Sequence, residues 1–128
     1  MSQNSLVIFV CEHGAAKSIL AAAYFNHLAR AKNLSLHAIA RGTNPDAELS
    51  IKAIEGLHRD GLTPPENVPQ KLTFADVESA EEIISFCELP EEYSGKAIYQ
   101  IWEDIPPVSE NYELARDIIV AKLRAMMK

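Results

Sequence analysis

Val7-Ile8-Phe9-Val10-Cys11-Glu12-His13-Gly14-Ala15-Ala16-Lys17-Ser18 is the stretch that organises this chain. Val7 to Val10 is a short, continuous, largely β-branched apolar run, the pattern of a strand buried on both faces of a parallel sheet. From Ala16 to Ala31 apolar residues recur at helical spacing, with Leu20, Tyr24 and Leu28 on one face. The segment between is therefore a tight strand-to-helix turn. Such a turn aims successive backbone N–H groups and a helix N-terminus at one point, which makes an anion site. Cys11 stands at its base, where those N–H groups and the charge of Lys17 favour thiolate over thiol. A nucleophilic thiolate inside an oxyanion cradle is the equipment for phosphoryl transfer through a cysteinyl intermediate.

Outward from this turn the chain alternates strand and helix. Leu34 to Ala40 reads as a second strand and Arg41-Gly42-Thr43-Asn44-Pro45 as turn chemistry. A helix is expected from about Ala47 to Asp60, with Leu49, Ile51, Ile54 and Leu57 apolar and Gly61 as its C-cap. Prolines at 64, 65 and 69 exclude continued helix, and Thr73 can cap a short one across Phe74, Ala75 and Val77. Ile83, Ile84, Phe86 and Cys87 suggest a third strand and Ala97 to Ile101 a fourth. Ser109 is the expected N-cap of a last helix running to about Met127, with Leu114, Ile118, Leu123 and Met126 on one face. The alternation predicts an α/β fold of three layers, α/β/α, around a four-stranded parallel sheet in the order 2-1-3-4. Ligands of such sheets bind beyond the C-terminal ends of the strands. The Cys11 turn, Gly42-Thr43, Cys87 and the loop after the fourth strand share that rim.

The bulk properties narrow the partners. With 128 residues, 1–128 is expected to be a single domain. A hydrophobic content of 48% is that of an ordinary globular chain. Twelve basic against 18 acidic residues give a formal charge of −6, which argues against nucleic acid or an anionic membrane as main partner. Attraction for an anionic substrate must then be local to the cradle. No run approaches the roughly 18 apolar residues of a membrane span, and the N-terminus lacks a basic region and a small-residue cleavage site. Two cysteines without export signals read as reduced thiols, so a cytoplasmic location is expected. His27, His37 and His58 have no metal-ligand spacing, there is no Cys/His cluster for zinc, and no cofactor is expected.

The order strand, Cys-x5-basic-Ser, helix resembles the low-molecular-weight protein tyrosine phosphatases and their relatives, the thiol-dependent arsenate reductases. Those families carry Cys-x5-Arg-Ser near the N-terminus and an Asp-Pro acid late in the chain. The resemblance implies a low-molecular-weight phosphatase-like fold with Cys11 as nucleophile and Lys17 in the arginine position. It implies that the Ser18 hydroxyl donates to the cysteine, and that residues Glu12, His13, Gly14, Ala15, Ala16 and Lys17 wrap the oxyanion. Asp104, in Trp102-Glu103-Asp104-Ile105-Pro106-Pro107, stands where the family has its general acid, with Glu103 as a rival and one isoleucine before the proline. Cys87 is similarly placed to the first resolving cysteine of the reductases; the second has no counterpart here. A Cys11–Cys87 disulfide is thus a redox expectation.

Several residues bear on catalysis directly. Arginine binds two phosphate oxygens with a planar fork, whereas lysine supplies charge alone. Losing that fork costs on the order of 2 to 4 kcal/mol of transition-state stabilisation, by analogy with oxyanion-donor deletions. A cation at a helix start calls for a counter-anion, so Lys17 implies either a ligand or Glu12 beside it. Glu12 at the mouth repels a dianion and favours substrates with a positive group. Gly14 supplies left-handed geometry to the turn, and His13 stands where the family has glycine. Three functions follow: a phosphatase acting on phosphomonoesters or phosphotyrosine, an arsenate reductase that draws on an external thiol reductant, and a non-catalytic binder of oxyanions or phosphoproteins.

Overall fold

The computed structural model describes residues 5–93, 95 and 97–127. Residues 1–4, on which the reading of the N-terminus rests, lie outside the described residues. The apolar run forms the strand β1 (Ser5–Cys11), and its side chains alternate between two cores. Val7, Phe9 and Cys11 enter one, Ile8 and Val10 the other, which is why the run carries no polar residue. Ile8, Phe9 and Val10 are fully buried, each contributing about 1.5–3 kcal/mol.

The helix α1 (Lys17–Ala31) follows, then the strand β2 (Leu36–Gly42), the helices α2 (Ile51–Arg59) and α3 (Phe74–Ser79), the strands β3 (Glu82–Ser85) and β4 (Ile98–Ile101), and the helix α4 (Tyr112–Met126). All neighbouring strands pair in parallel, in the order β2-β1-β3-β4. The expected α/β architecture and strand order are those observed. The helices α1, α2 and α4 pack on one another over the Phe9 face. Val77 of α3, with Leu72 and Tyr93, covers the Ile8 face. The helix α3 begins at the expected Thr73, whose side chain and that of Asp76 cap each other's backbone. The edge strand β4 leaves Ile98, Tyr99 and Ile101 exposed.

Four expectations need correction, the first being the second strand, which runs Leu36–Gly42 rather than Leu34 to Ala40, so Arg41 and Gly42 pair with β1 instead of turning. The helix α2 starts at Ile51, with Ser50 as its cap, because the residues before it are committed to backbone contacts with the Cys11 turn. Its buried side is Ala53, Gly56 and Leu57, while Ile51 and Ile54 are exposed. The strand β3 stops at Ser85, whose hydroxyl accepts from the Cys87 N–H at 3.2 Å and draws the chain out of the sheet. Asn111, not Ser109, caps α4 by accepting from the Leu114 N–H at 3.1 Å. The buried face of α4 is accordingly Tyr112, Ala115, Ile119 and Leu123, with Leu114 in solvent.

The seam between α2 and α4 explains that phase. A Cβ on Gly56 would lie 2.1 Å from the Tyr112 ring, so only glycine admits the ring there. Both the Tyr24 and the Tyr112 hydroxyls donate to Asp60, the latter at 3.0 Å, and Arg116 pairs with the same carboxylate at 3.3 Å. Burial opposes ionisation of Asp60, but the bonds from Tyr24, Tyr112 and Arg116 outweigh it and hold its carboxyl below the usual range. Burial and then the Asp60 carboxylate push Tyr24 up to about 12. This cluster ties α1, the end of α2 and α4 together, and none of its residues lines the cavity at Cys11.

Candidate active site

Cys11 ends β1 opposite Gly42, the last residue of β2. Beyond them the two segments run on as paired loops laced together by backbone hydrogen bonds. The Thr43 N–H donates to the Cys11 carbonyl (3.2 Å), Asn44 to Glu12 (2.7 Å), Asp46 to His13 (3.0 Å) and Ser50 to Ala15 (2.9 Å). The carbonyls of the turn are thereby drawn outward onto residues 43–50. Its N–H groups are left over. Among the described residues the backbone N–H groups of 12–16 donate to no protein acceptor. The helix α1 also starts without a side-chain cap at Ala16, and its first turn has no acidic residue. Gly14 and Ala15 are buried, and buried backbone donors are almost always paired, so the unpaired donors that follow the buried thiol along the turn are suited to an acceptor.

Glycine is required twice. Gly14 adopts φ +62°, the left-handed conformation, and a Cβ on it would sit 2.9 Å from the Gly42 nitrogen. A Cβ on Gly42 would sit 2.7 Å from the Gly14 nitrogen. Gly42 is held in turn by residues 70–72, its N–H donating to Gln70 and its carbonyl accepting from Leu72. The cradle is thus buttressed from behind by a segment that contributes no reactive group.

The Cys11 sulfur lies 3.1 Å from the Ser18 hydroxyl, and both side chains are buried. In the thiolate state that hydroxyl is the donor. Cys11 opens onto a cavity of about 620 Å³ also lined by Glu12, His13, Ala15, Ala16, Lys17 and Cys87. Ser50, Ile51 and Lys52 place the start of α2 on the same cavity, and Pro107, Val108 and Ser109 close its far side. Two helix N-termini therefore face one space, each adding partial positive charge. Lys17 adds a full one. Among the described residues neither Lys17 nor Glu12 forms an ion pair, so Glu12 is not the anion that the lysine calls for.

The structure brings together Cys11, Ser18, the turn 12–17 and Cys87; both cysteines are free thiols. It does not bring Asp104 to them. The Asp104 carboxylate is bound by Lys122 of α4 at 3.2 Å, over the ring of the buried Trp102, and does not line the cavity. Glu103 does not line it either. The loop after β4 instead presents a proline, a valine and a serine. Reading the sequence alone missed Asp46, Glu48, Ser50 and Lys52; the turn signal at Asn44-Pro45 marks the loop that carries the first of them. The His13 ring nitrogen Nδ1 lies 3.1 Å from Asp46 Oδ1 at the half-open mouth.

No known protein-family profile matches the chain, and no curated protein sequence matches it. Solved structures do. A thioredoxin-dependent arsenate reductase of Corynebacterium glutamicum superposes with a TM-score of 0.76 and 22% identity, over 98% of this chain and 61% of that one. This chain thus spans less than two thirds of that reductase. The Bacillus subtilis protein YfkJ superposes at 0.83 with 19% identity, over 99% and 94% of the two chains. A low-molecular-weight protein tyrosine phosphatase of T. tengcongensis does so at 0.82 with 17% identity, over 96% and 97%. At these identities the likeness is one of architecture, and the chain has the fold shared by low-molecular-weight protein tyrosine phosphatases and arsenate reductases.

Proposed function

We propose that this chain is a cysteine-dependent phosphatase that hydrolyses phosphate monoesters, phosphotyrosine among them, through a phosphocysteine at Cys11. The observation that carries the reading is the ring of unpaired backbone N–H groups at residues 12–16 around a buried thiol that Ser18 contacts. Three phosphoryl oxygens fit such a ring, with Lys17 supplying the balancing charge. The Cys11 thiolate attacks phosphorus, the S–P bond forms and the ester O–P bond breaks. The Ser18 hydroxyl donates to the sulfur and stabilises it as thiolate when water later displaces it from phosphorus. Lysine in place of the arginine fork predicts a slow enzyme rather than an inactive one.

The test is to mix the protein with an aryl phosphate, quench in acid on the millisecond scale and measure the mass of the Cys11 peptide. A phosphorylated Cys11 that forms and decays at the rate of turnover is expected, and Cys11→Ser should abolish both. Turnover undiminished in Cys11→Ser would refute the mechanism. Phosphate binding without turnover would leave the cradle as a binding site alone.

A second reading has its own support in Cys87, which lines the same cavity as Cys11. In that reading arsenate occupies the cradle, and the Cys11 thiolate forms an S–As bond as an As–O bond breaks and its oxygen leaves as water. A second thiol, Cys87 or an external one, attacks the Cys11 sulfur; the S–S bond forms as the S–As bond breaks, its electron pair passes to arsenic, and arsenic leaves as As(III) arsenite. An external thiol reductant then restores both thiols. Arsenate-dependent consumption of a thiol reductant distinguishes this activity from hydrolysis.

A further inference from the structure

Hydrolysis at Cys11 needs a proton for the departing oxygen, and the acid expected after β4, Asp104, does not line the cavity and pairs with Lys122 at the surface. We propose that His13, paired with Asp46, is the general acid and base of this site, an inference that rests on the phosphatase reading above. Both residues line the Cys11 cavity. His13 Nδ1 lies 3.1 Å from Asp46 Oδ1, and the Asp46 N–H donates to the His13 carbonyl at 3.0 Å, so ring and carboxylate are joined through side chain and backbone.

Their depth is right for the task. Cys11 is 8% exposed at the floor, whereas the His13 and Asp46 side chains are 55% and 53% exposed at the mouth. In-line displacement puts the leaving oxygen opposite the attacking sulfur, hence at the mouth. The cavity's other charged groups are Glu12, Lys17, Glu48 and Lys52, with the thiols of Cys11 and Cys87 below them. Among the described residues neither Glu12 nor Glu48 forms an ion pair, and His13 is the proton-exchanging group of the cavity that a neighbouring carboxylate holds in place. Imidazole is also the side chain that exchanges protons in the neutral range.

The balance closes. As the O–P bond breaks, the His13 imidazolium gives its proton to the leaving oxygen. In the second step the neutral ring takes a proton from water as the new O–P bond forms and the S–P bond breaks. Thiolate and imidazolium are restored, and the products are the alcohol and phosphate. Asp46 is a positioning residue, acting through the ring.

The test uses aryl phosphates graded by leaving group, from 2,4-dinitrophenyl to phenyl phosphate, on wild type, His13→Ala and Asp46→Asn. An acid matters most for the poorest leaving group. His13→Ala should lower kcat/KM, which reports transfer from the ester to Cys11, by about 100-fold or more for phenyl phosphate and by less than about threefold for the dinitrophenyl ester. It should also remove the alkaline limb of the kcat/KM profile, and added imidazole should restore part of the phenyl phosphate rate. Asp46→Asn should act in the same direction, by roughly tenfold, without imidazole rescue. A loss in kcat/KM equal across the series, or a leaving-group dependence that appears in Asp104→Asn instead, overturns the role of His13 and leaves the phosphatase reading standing. Absence of turnover of every ester by the wild type overturns both.

Discussion

Replacing Gly42 by alanine should disable the cradle without touching a reactive group. The new Cβ would lie 2.7 Å from the Gly14 nitrogen, 2.9 Å from its Cα and 3.0 Å from the His13 carbonyl carbon. All three are backbone atoms, so no side chain can swing aside. Ordinary contact begins at 3.4 Å, and 3.4 − 2.7 requires a retreat of about 0.7 Å. The Thr43–Cys11 bond, now 3.2 Å, would open to about 3.9 Å if the retreat lay along it, beyond hydrogen-bond reach. One lost bond of about 1 kcal/mol and overpacking of 1–3 kcal/mol predict a destabilisation of roughly 2–4 kcal/mol. A misplacement near 1 Å costs about 100-fold in rate, so turnover should fall by 10- to 100-fold. Phosphate affinity, read by calorimetry, should weaken at least tenfold, because the N–H groups no longer converge. Gly61→Ala is the control. Gly61 has φ +78° but nothing within 4 Å, so alanine there costs about 1–2 kcal/mol of backbone strain and leaves phosphate affinity unchanged. Wild-type phosphate affinity in folded Gly42→Ala would refute the claim that the close approach shapes the site.

Two other substitutions test charge. Lys17→Arg restores a planar fork at the helix start and should raise kcat for 4-nitrophenyl phosphate by tenfold or more, measured at constant ionic strength; an unchanged rate would mean that the turn around His13 does not aim the fork. Asp60→Asn weakens the acceptor shared by Tyr24, Tyr112 and Arg116 and should cost about 2 kcal/mol in urea unfolding at neutral pH. The sign with pH follows from the lowered Asp60 carboxyl. Its stabilisation is complete above the unfolded value of about 3.9 and is lost as pH falls through the lower folded value, so wild type and Asp60→Asn should converge in stability below that window.

The features visible in sequence are those governed by neighbours along the chain. β1 and α1 are legible because a continuous apolar run and a helical repeat flank the turn, and Thr73 because a cap acts within three residues. What escaped was set by contacts distant in sequence. Ile51 and Ile54 fit a buried helical stripe, yet Tyr112 packs against Gly56 and turns the opposite side of α2 inward. Leu114 likewise lost the core to Tyr112 and Ala115. In the site, Cys11 and the turn were legible as a motif. The orientation of Asp104 was not, since Lys122, on another element, holds it. Nor was the pairing of His13 with Asp46, which depends on two loops laced together after the sheet has formed.

That lacing has a consequence for how the signature travels between proteins. The shape of the Cys11 turn is stored in the stretch that begins at Gly42, which would register in a motif search as an ordinary loop. A graft of Cys11 to Ser18 onto another strand and helix would carry the nucleophile and the lysine but leave the carbonyls free to fold inward. The transplantable unit is therefore a pair of segments, and drift in the silent partner can extinguish the site while every residue of the signature stays in place.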